Sequence, residues 1–312
     1  MPGIAYLGPE GTFSEAALRA MVGNGSIPPT GTDGSAGTPV TSIAADSTAA
    51  ALAAVRSGRA DFACVPIENS IDGSVLSTLD NLAGGPPLQI FAELTLDVAF
   101  SIAVRPGTTH SAVSTVAAFP VAAAQVRNWL AGHLPNVRLV PANSNAAAAQ
   151  DVAAGKADAA VCTALAAQRY KLHALAADVV DESNARTRFV LVGSPARPPQ
   201  RTGADRTSVV LRLDNVPGAL VSALIELAIR DIDLTRIESR PTRTELGTYL
   251  FFLDFAGHID DDSVAEALRA LYRRCADVRY LGSWPTGAAV GAAPPRMDEA
   301  YTWLERLREG RS

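Results

Sequence analysis

Cysteine is scarce in this chain. Its 312 residues hold three, Cys64, Cys162 and Cys275, spaced about a hundred residues apart. An odd count at that spacing excludes a disulfide framework and a clustered zinc site. Cys64 and Cys162 lie in apolar, strand-like runs, where buried inert thiols are expected. Histidine is nearly as rare. His110, His133, His173 and His258 form no i, i+4 pair and have no carboxylate at ligand spacing, so no metal is expected. Aromatic residues make up only 6%, and much of the apolar content is alanine, which predicts a core of many small helix–sheet contacts. No uncharged apolar run approaches the roughly 18 residues of a membrane span. The N-terminus, MPGIAYLG, has neither a basic n-region nor an apolar h-region. A soluble, cytoplasmic protein in a reducing compartment is expected. Positive charge is short and scattered: 27 Lys and Arg against 32 Asp and Glu, net −5. That excludes the concentrated basic face that nucleic acid or an anionic membrane requires. With 48% apolar and 19% charged residues the bulk of the chain is not disordered, and its length suffices for two domains.

Residues 3–193 alternate short apolar runs with Ala-rich helical stretches, a βαβα pattern that implies a mostly parallel sheet covered by helices. Ile4–Leu7 reads as a buried strand, and Thr12-Phe-Ser-Glu15 as a capping box opening a helix to about Met21. Residues 23–39, rich in Gly, Ser, Thr and Pro, read as a loop or insertion. An echo follows: VRSGRADFAC at 55–64 and VAAGKADAAV at 152–161. In each a helix ends at Gly (Gly58, Gly155), a cation follows, and Ala-Asp leads into an apolar strand, as two similar α/β lobes would require. Residues 194–205 hold three prolines and little apolar content, and read as a linker. Beyond it the order becomes βαββαβ over 206–284, a ferredoxin-like sandwich, with a helix over 217–230 carrying Pro217 near its first position. Residues 285–312 form a tail with a short amphipathic helix near 297–309.

Three polar loops precede helix starts after apolar strands: Gly8–Thr12, Glu68–Gly73 and Asn143–Asn145. In open α/β folds ligands lie beyond the carboxyl ends of strands, and free N–H groups at helix starts bind anions, so three converging starts would make an anion cleft. Ordinary capping explains each loop singly. Glu68 ends a buried strand, and Thr187-Arg-Phe189 opens the last apolar run, with alternation placing Thr187 and Phe189 on one face and Arg188 on the other. In the second domain Asn215–Leu220 forms a turn into a helix. Glu238-Ser-Arg-Pro241 ends a strand whose exposed edge would suit pairing with a second chain.

Taken together and in order, these motifs resemble the prephenate dehydratase family over nearly the whole chain. Tyr6–Ala16, Val65–Ser70 with Gly73 and Val75, and Thr187–Phe189 resemble its catalytic-domain motifs; Ser144 with Ala146 and Ala147, and Tyr170 with Leu172, match more weakly. Pro217–Leu220 and Glu238–Pro241 resemble the two phenylalanine-binding motifs of its ACT regulatory domain. The resemblance implies an α/β protein: a two-lobed catalytic domain similar to type II periplasmic binding proteins over 1–193, then a ferredoxin-like ACT domain. It implies decarboxylating dehydration of prephenate to phenylpyruvate without cofactor or metal, and inhibition by L-phenylalanine bound between ACT domains of a homodimer or homotetramer.

By the same resemblance Thr187, Glu68 and Arg188 are the catalytic candidates, with Thr12, Asn69, Ser70, Ser144, Asn145 and Phe189 contacting substrate. The effector would meet Asn215, Pro217, Gly218, Ala219 and Leu220, and Glu238, Ser239, Arg240 and Pro241. Expelling a ring hydroxyl needs a hydrogen-bond or proton donor, an effect of about 10²–10⁴-fold. Thr187 suits the first role and Glu68 is the alternative acid. Two departures stand out. Phe100 lies near a place where many members carry His, and Asp231-Ile-Asp-Leu234 replaces the commoner Gly-Ile-Asn-Leu, which turns attention to Asp233 as a modifier of the effector pocket. Arogenate dehydratase and a non-catalytic amino-acid sensor are the rival readings.

Overall fold

The computed structural model describes residues 1–28, 39–182, 184–242, 247–288, 290–294 and 298–311. The insertion read over 23–39 thus lies largely outside the described residues. The chain divides into two units, Met1–Asn81 with Leu94–Val192, and Leu82–Glu93 with Gly193–Ser312. Among the described residues no helix is long and apolar enough to cross a membrane.

The chain runs β1 (Gly3–Leu7), α1 (Phe13–Gly23), β2 (Thr41–Ala45), α2 (Thr48–Arg56), β3 (Phe62–Asn69), β4 (Gly73–Ser74), α3 (Leu76–Ala83) and β5 (Gln89–Asp97). It continues with β6 (Phe100–Val104), β7 (Thr115–Ala118), α4 (Pro120–Gln125), α5 (Arg127–His133), β8 (Arg138–Pro141), α6 (Asn145–Ala153), β9 (Ala159–Cys162), α7 (Ala164–Arg169), β10 (His173–Val179) and β11 (Arg186–Gly193). The strands form two sheets. One runs β2-β1-β3-β11-β5 with β4 paired to β3, the other β10-β6-β9-β7-β8. Pairing within β2-β1-β3 and β8-β7-β9 is parallel, and in the second sheet β6 pairs antiparallel with both β9 and β10. These are two lobes. The chain crosses between them twice, and the crossings are tied where Val98 N–H donates to Ala185 O at 2.7 Å.

The sequence echo has a structural counterpart. Gly58 and Gly155 end α2 and α6 at φ 71° and 77°, a conformation glycine adopts without steric cost. Three residues on, the aspartate takes the first backbone N–H of the neighbouring parallel strand. Asp61 Oδ2 accepts from Gly3 at 2.7 Å, and Asp158 Oδ2 accepts from Thr115 at 2.9 Å. The Thr115 and Ser114 hydroxyls also donate to Asp158, holding its carboxyl down at about 2. Small residues fill the second lobe: Ala103, Ala117, Ala146, Ala149 and Ala160 pack with Val152 and Cys162.

The second unit contains β12 (Asp205–Arg212), α8 (Ala219–Ala228), β13 (Leu234–Pro241), β14 (Tyr249–Ala256), α9 (Asp262–Arg274), β15 (Asp277–Pro285) and α10 (Asp298–Arg308). Its antiparallel sheet runs β13-β14-β12-β15. Val209, Leu211, Leu253 and Phe255 pack on Ala223, Leu227, Val264, Ala267 and Leu271 from the two helices. Alternation sends Arg206, Ser208 and Asp254 to the opposite face, which residues 82–93 meet. Arg206 Nη1 lies 3.1 Å from Glu93 Oε2, and Trp284 Nε1 donates to the same oxygen at 3.1 Å. A Cβ on Gly282 would stand 2.3 Å from Ile90 O, so only glycine fits there. Local patterning had assigned 82–93 to the first domain. The helix expected from Pro217 starts later, because Gly218 takes φ 80° as the cap and α8 begins at Ala219.

Candidate active site

The Gly8–Thr12 loop leaves β1 and enters α1. Thr12 Oγ1 caps α1, accepting from Glu15 N–H at 3.4 Å and donating to Leu7 O at 3.0 Å. Glu15 reaches back as a capping box predicts, though to Gly11 N–H (2.5 Å) rather than to the cap residue itself. Ser144 caps α6 through Ala147 N–H at 3.0 Å, and Thr163 caps α7 through Ala166 N–H at 2.9 Å. The loop of the first lobe is inserted against these starts. A Cβ on Gly11 would lie 3.1 Å from Ala166 Cβ and 3.4 Å from Ala146 Cβ, and Gly11 itself takes φ +87°. Phe13 meets Phe100 edge-on at 5.6 Å, so the place where many relatives are expected to carry His here supplies an apolar contact between lobes. Asn145 Oδ1 is buried with no hydrogen-bond partner in the structure, an acceptor at the start of α6.

The segment 68–73 is not a helix start. Glu68 and Asn69 still belong to β3, which turns back into β4 with Glu68 opposite Ser74. Asn69 Oδ1 accepts the N–H groups of Ile71 (2.8 Å) and Asp72 (3.0 Å), which orients its carboxamide. The amide nitrogen then donates to Thr187 Oγ1 at 3.0 Å. Next along, Ser70 N–H donates to Arg186 O and Arg186 N–H to Ser70 Oγ, both at 2.8 Å. On the other side Arg188 Nη2 lies 3.1 Å from Glu68 Oε2. The partners 70 with 186, 69 with 187 and 68 with 188 step in opposite directions along neighbouring strands. Successive side chains alternate faces, so Thr187–Asn69 and Arg188–Glu68 lie on opposite faces of the sheet. Cys64, which shares Glu68's parity on β3, touches Ser14 O and Met21 Sδ, placing the ion pair on the side of α1.

The structure thus brings together Thr187, Asn69 and Ser70, pairs Glu68 with Arg188, and gathers Thr12, Ser144 and Asn145 at the meeting of the lobes. Phe189 is 1% exposed and belongs to the core rather than to a ligand surface. Sequence reading missed Thr163, whose hydroxyl donates to Gly11 O at 2.6 Å across 152 positions of chain; Thr163 opening an Ala-rich helix was its only local signal. Burial pushes the Cys64 and Cys162 thiols up to about 12, so neither supplies a thiolate near neutral pH. Among the described residues no cluster of three or more His, Cys, Asp or Glu could hold a metal ion.

A second concave site lies in the ferredoxin-like sheet unit. A pocket of about 140 Å³ is lined by Leu213–Val216, Ala219, Leu220, Gly247–Tyr249 and Phe251. Of the expected effector residues, Asn215, Ala219 and Leu220 line it; Pro217 and Gly218 shape the turn beside it. Glu238, Ser239, Arg240 and Pro241 do not line it, but lie on edge strand β13, where Ser239 is opposite Phe251 and Pro241 opposite Tyr249. Gly247, Thr248, Tyr249 and Phe251 were missed, because a strand entrance carries no turn motif. Asp233 is elsewhere. Its Oδ2 accepts Ala292 N–H at 2.9 Å and so fastens the tail rather than altering the pocket.

A family model described as prephenate dehydratase matches residues 4–197, and one described as ACT domain matches 207–271. A prephenate dehydratase of Mycolicibacterium vanbaalenii is 78% identical over 311 residues, covering 100% of both chains. Among solved structures, prephenate dehydratase of Arthrobacter aurescens in complex with L-Phe superposes with TM-score 0.84 at 38% identity, over 98% of this chain and 99% of that one. GqqA, described as a novel type of quorum quenching acylase, matches with TM-score 0.77 at 30% identity, over 91% of this chain and 98% of that one. By sequence and by fold, the chain belongs to the prephenate dehydratase family and carries an ACT domain.

Proposed function

We propose that the chain performs the reaction of its family, converting prephenate to phenylpyruvate with loss of water and CO2, under feedback by L-phenylalanine. The observation that carries the catalytic part is the Asn69–Thr187 bond. Asn69 is oriented by two backbone donors, so its nitrogen must donate and Thr187 Oγ1 must accept. The threonine proton is then left to point at a ligand, and the accepted bond polarises it as a donor. A neutral alkyl hydroxyl is a poor acid, so Thr187 serves by hydrogen-bonding the departing hydroxyl. Scission of the ring carboxylate's C–C bond releases CO2, and its electron pair enters the ring as the C–O bond breaks. The departing hydroxide, hydrogen-bonded by Thr187, takes up a proton from solvent to become water, and aromatisation drives the step. The two substrate carboxylates face the capped helix starts at Thr12 and Ser144. Glu68 pairs with Arg188 on the face of the sheet opposite Thr187, which favours Thr187 over Glu68 as the donor at the leaving group.

The acylase resemblance carries no second reading here. Acyl transfer by a hydroxyl needs an adjacent base, and the Thr187 hydroxyl meets an amide.

For regulation, the pocket beside Asn215 and Leu220 is the effector site of this reading, completed by Glu238–Pro241 of a second chain. Exposed Val221, Ile225 and Ile229 recur at helical spacing along α8, and Ile237 lies on the edge strand; both features support self-association through the ACT domain as a homodimer or homotetramer. The effector must bind one quaternary state better than another, with coupling of about 1–3 kcal/mol. Phenylpyruvate formation from prephenate, measured with and without millimolar L-phenylalanine, tests both halves; absence of turnover would remove the reading.

A further inference from the structure

Glu15 is a buried carboxylate that neither the catalytic motifs nor the capping pattern fully employs. Its side chain is 5% exposed. One oxygen accepts Gly11 N–H at 2.5 Å. The other accepts from Arg19 at 2.7 Å and, from the second lobe, Arg169 Nη2 at 2.8 Å. Arg169 ends α7, and its second nitrogen meets Glu10 in the same loop. The cap and the last residue of one short helix thus hold the two peptide groups that flank Gly11. Thr163, at its start, holds Gly11 O directly, and Arg169, at its end, holds Gly11 N–H through Glu15. Glu15 keeps Arg19 when the lobes part, but it loses the charge-assisted bond to Arg169, the one that comes from the second lobe. A carboxylate that bonds across two lobes therefore favours the state in which the lobes meet.

We propose that Arg169 is a positioning residue for the reaction. It locks the second lobe onto the Gly8–Thr12 loop, so that the capped start of α1 is set for substrate only when the lobes are closed. The inference rests on the cleft being the prephenate site. If closure selects the binding-competent state, losing the lock lowers the competent fraction and raises apparent KM in proportion. Thr187 and Asn69 both belong to the first lobe's sheet and do not depend on Arg169, so kcat at saturation changes little.

The test is steady-state turnover of the full-length enzyme on prephenate for wild type, Arg169→Ala, Arg169→Lys and Glu10→Gln, with thermal unfolding recorded for each. Wild-type turnover secures the underlying reading. Against it, Arg169→Ala is expected to raise KM about tenfold with kcat within about threefold. Arg169→Lys, which keeps the charge, should recover part of the loss, and Glu10→Gln, which touches only the exposed arm, should change KM less than threefold. Unchanged KM in Arg169→Ala would overturn the proposal. A fall in kcat and Tm together, without recovery in Arg169→Lys, would overturn it too, by making the arginine merely structural. An inactive wild type would instead overturn the assignment of the cleft.

Discussion

The cleft in the first unit and the pocket in the second are built in opposite ways. In the first unit the polar side chains already hold their neighbours: Asn69 holds Thr187, and Glu15 holds Gly11. In the ACT pocket the walls are a turn, a helix start and a strand entrance, with Leu213, Val216, Leu220 and Phe251 among them, and β13 lies at an edge of the sheet. The difference matches what each must do. Catalysis gains from donors fixed before charge develops. Regulation gains nothing from a site equally good in every state, and on the proposed reading a pocket finished by a second chain would bind states unequally.

The comparison breaks most sharply at Thr187. Thr187→Val keeps the shape and removes the donor, so kcat is expected to fall by about 10²–10⁴-fold with Tm little changed. L-phenylalanine binding, followed by calorimetry, should be unaffected. Retained turnover would remove the donor role. The mirror experiment is Asn215→Ala at the pocket, expected to raise the half-inhibitory phenylalanine concentration about tenfold while uninhibited kcat stays within about twofold. Loss of basal activity there would show that the sites are not separable.

A scaffold change sharpens the contrast by touching neither site. Asp158 has its pKa lowered to about 2, chiefly by the Thr115 hydroxyl, then by Ser114. A lowered carboxylate stabilises the fold above its ordinary range near 4, and that stabilisation fades as pH falls through about 2. Asp158→Asn should therefore lower stability by about 1 kcal/mol at pH 7, after allowing for solvent screening. The difference from wild type should shrink on acidification, with kinetics unchanged. A pH-independent difference would contradict the assignment. The smallest effect belongs to Asp233→Asn. Because Asp233 binds Ala292 N–H, phenylalanine inhibition should stay within about twofold of wild type. A larger shift would return Asp233 to the pocket.

The legible and illegible parts of the molecule divide along a physical line. Thr12, Ser144 and the echoing Gly58 and Gly155 announce themselves because caps and left-handed turns are local. The β3–β11 pairing was half legible: alternation separates Arg188 from Thr187, but nothing local shows that Asn69 lies opposite Thr187, 118 positions away. Arg169 and Thr163 act through contacts with residues more than 150 positions distant, which no window of sequence displays. Residues 82–93 have ordinary local patterning, and long-range contacts such as Gly282's close approach to Ile90 and the Glu93–Arg206 pair place them in the second unit. Phe189 was misread for a related reason. A motif names neighbours in sequence, while a strand sends each of them to a different surrounding.

The central claim is that one chain joins a fixed catalytic cleft to an effector pocket that acts upon it. The most direct measurement is the initial rate of phenylpyruvate formation from prephenate by purified protein across a titration of L-phenylalanine, run beside Asn215→Ala. The account expects wild-type turnover that falls as phenylalanine rises, with the Asn215→Ala curve displaced to higher concentration from the same starting rate. Turnover indifferent to phenylalanine would contradict the coupling, and no turnover at any concentration would contradict the cleft.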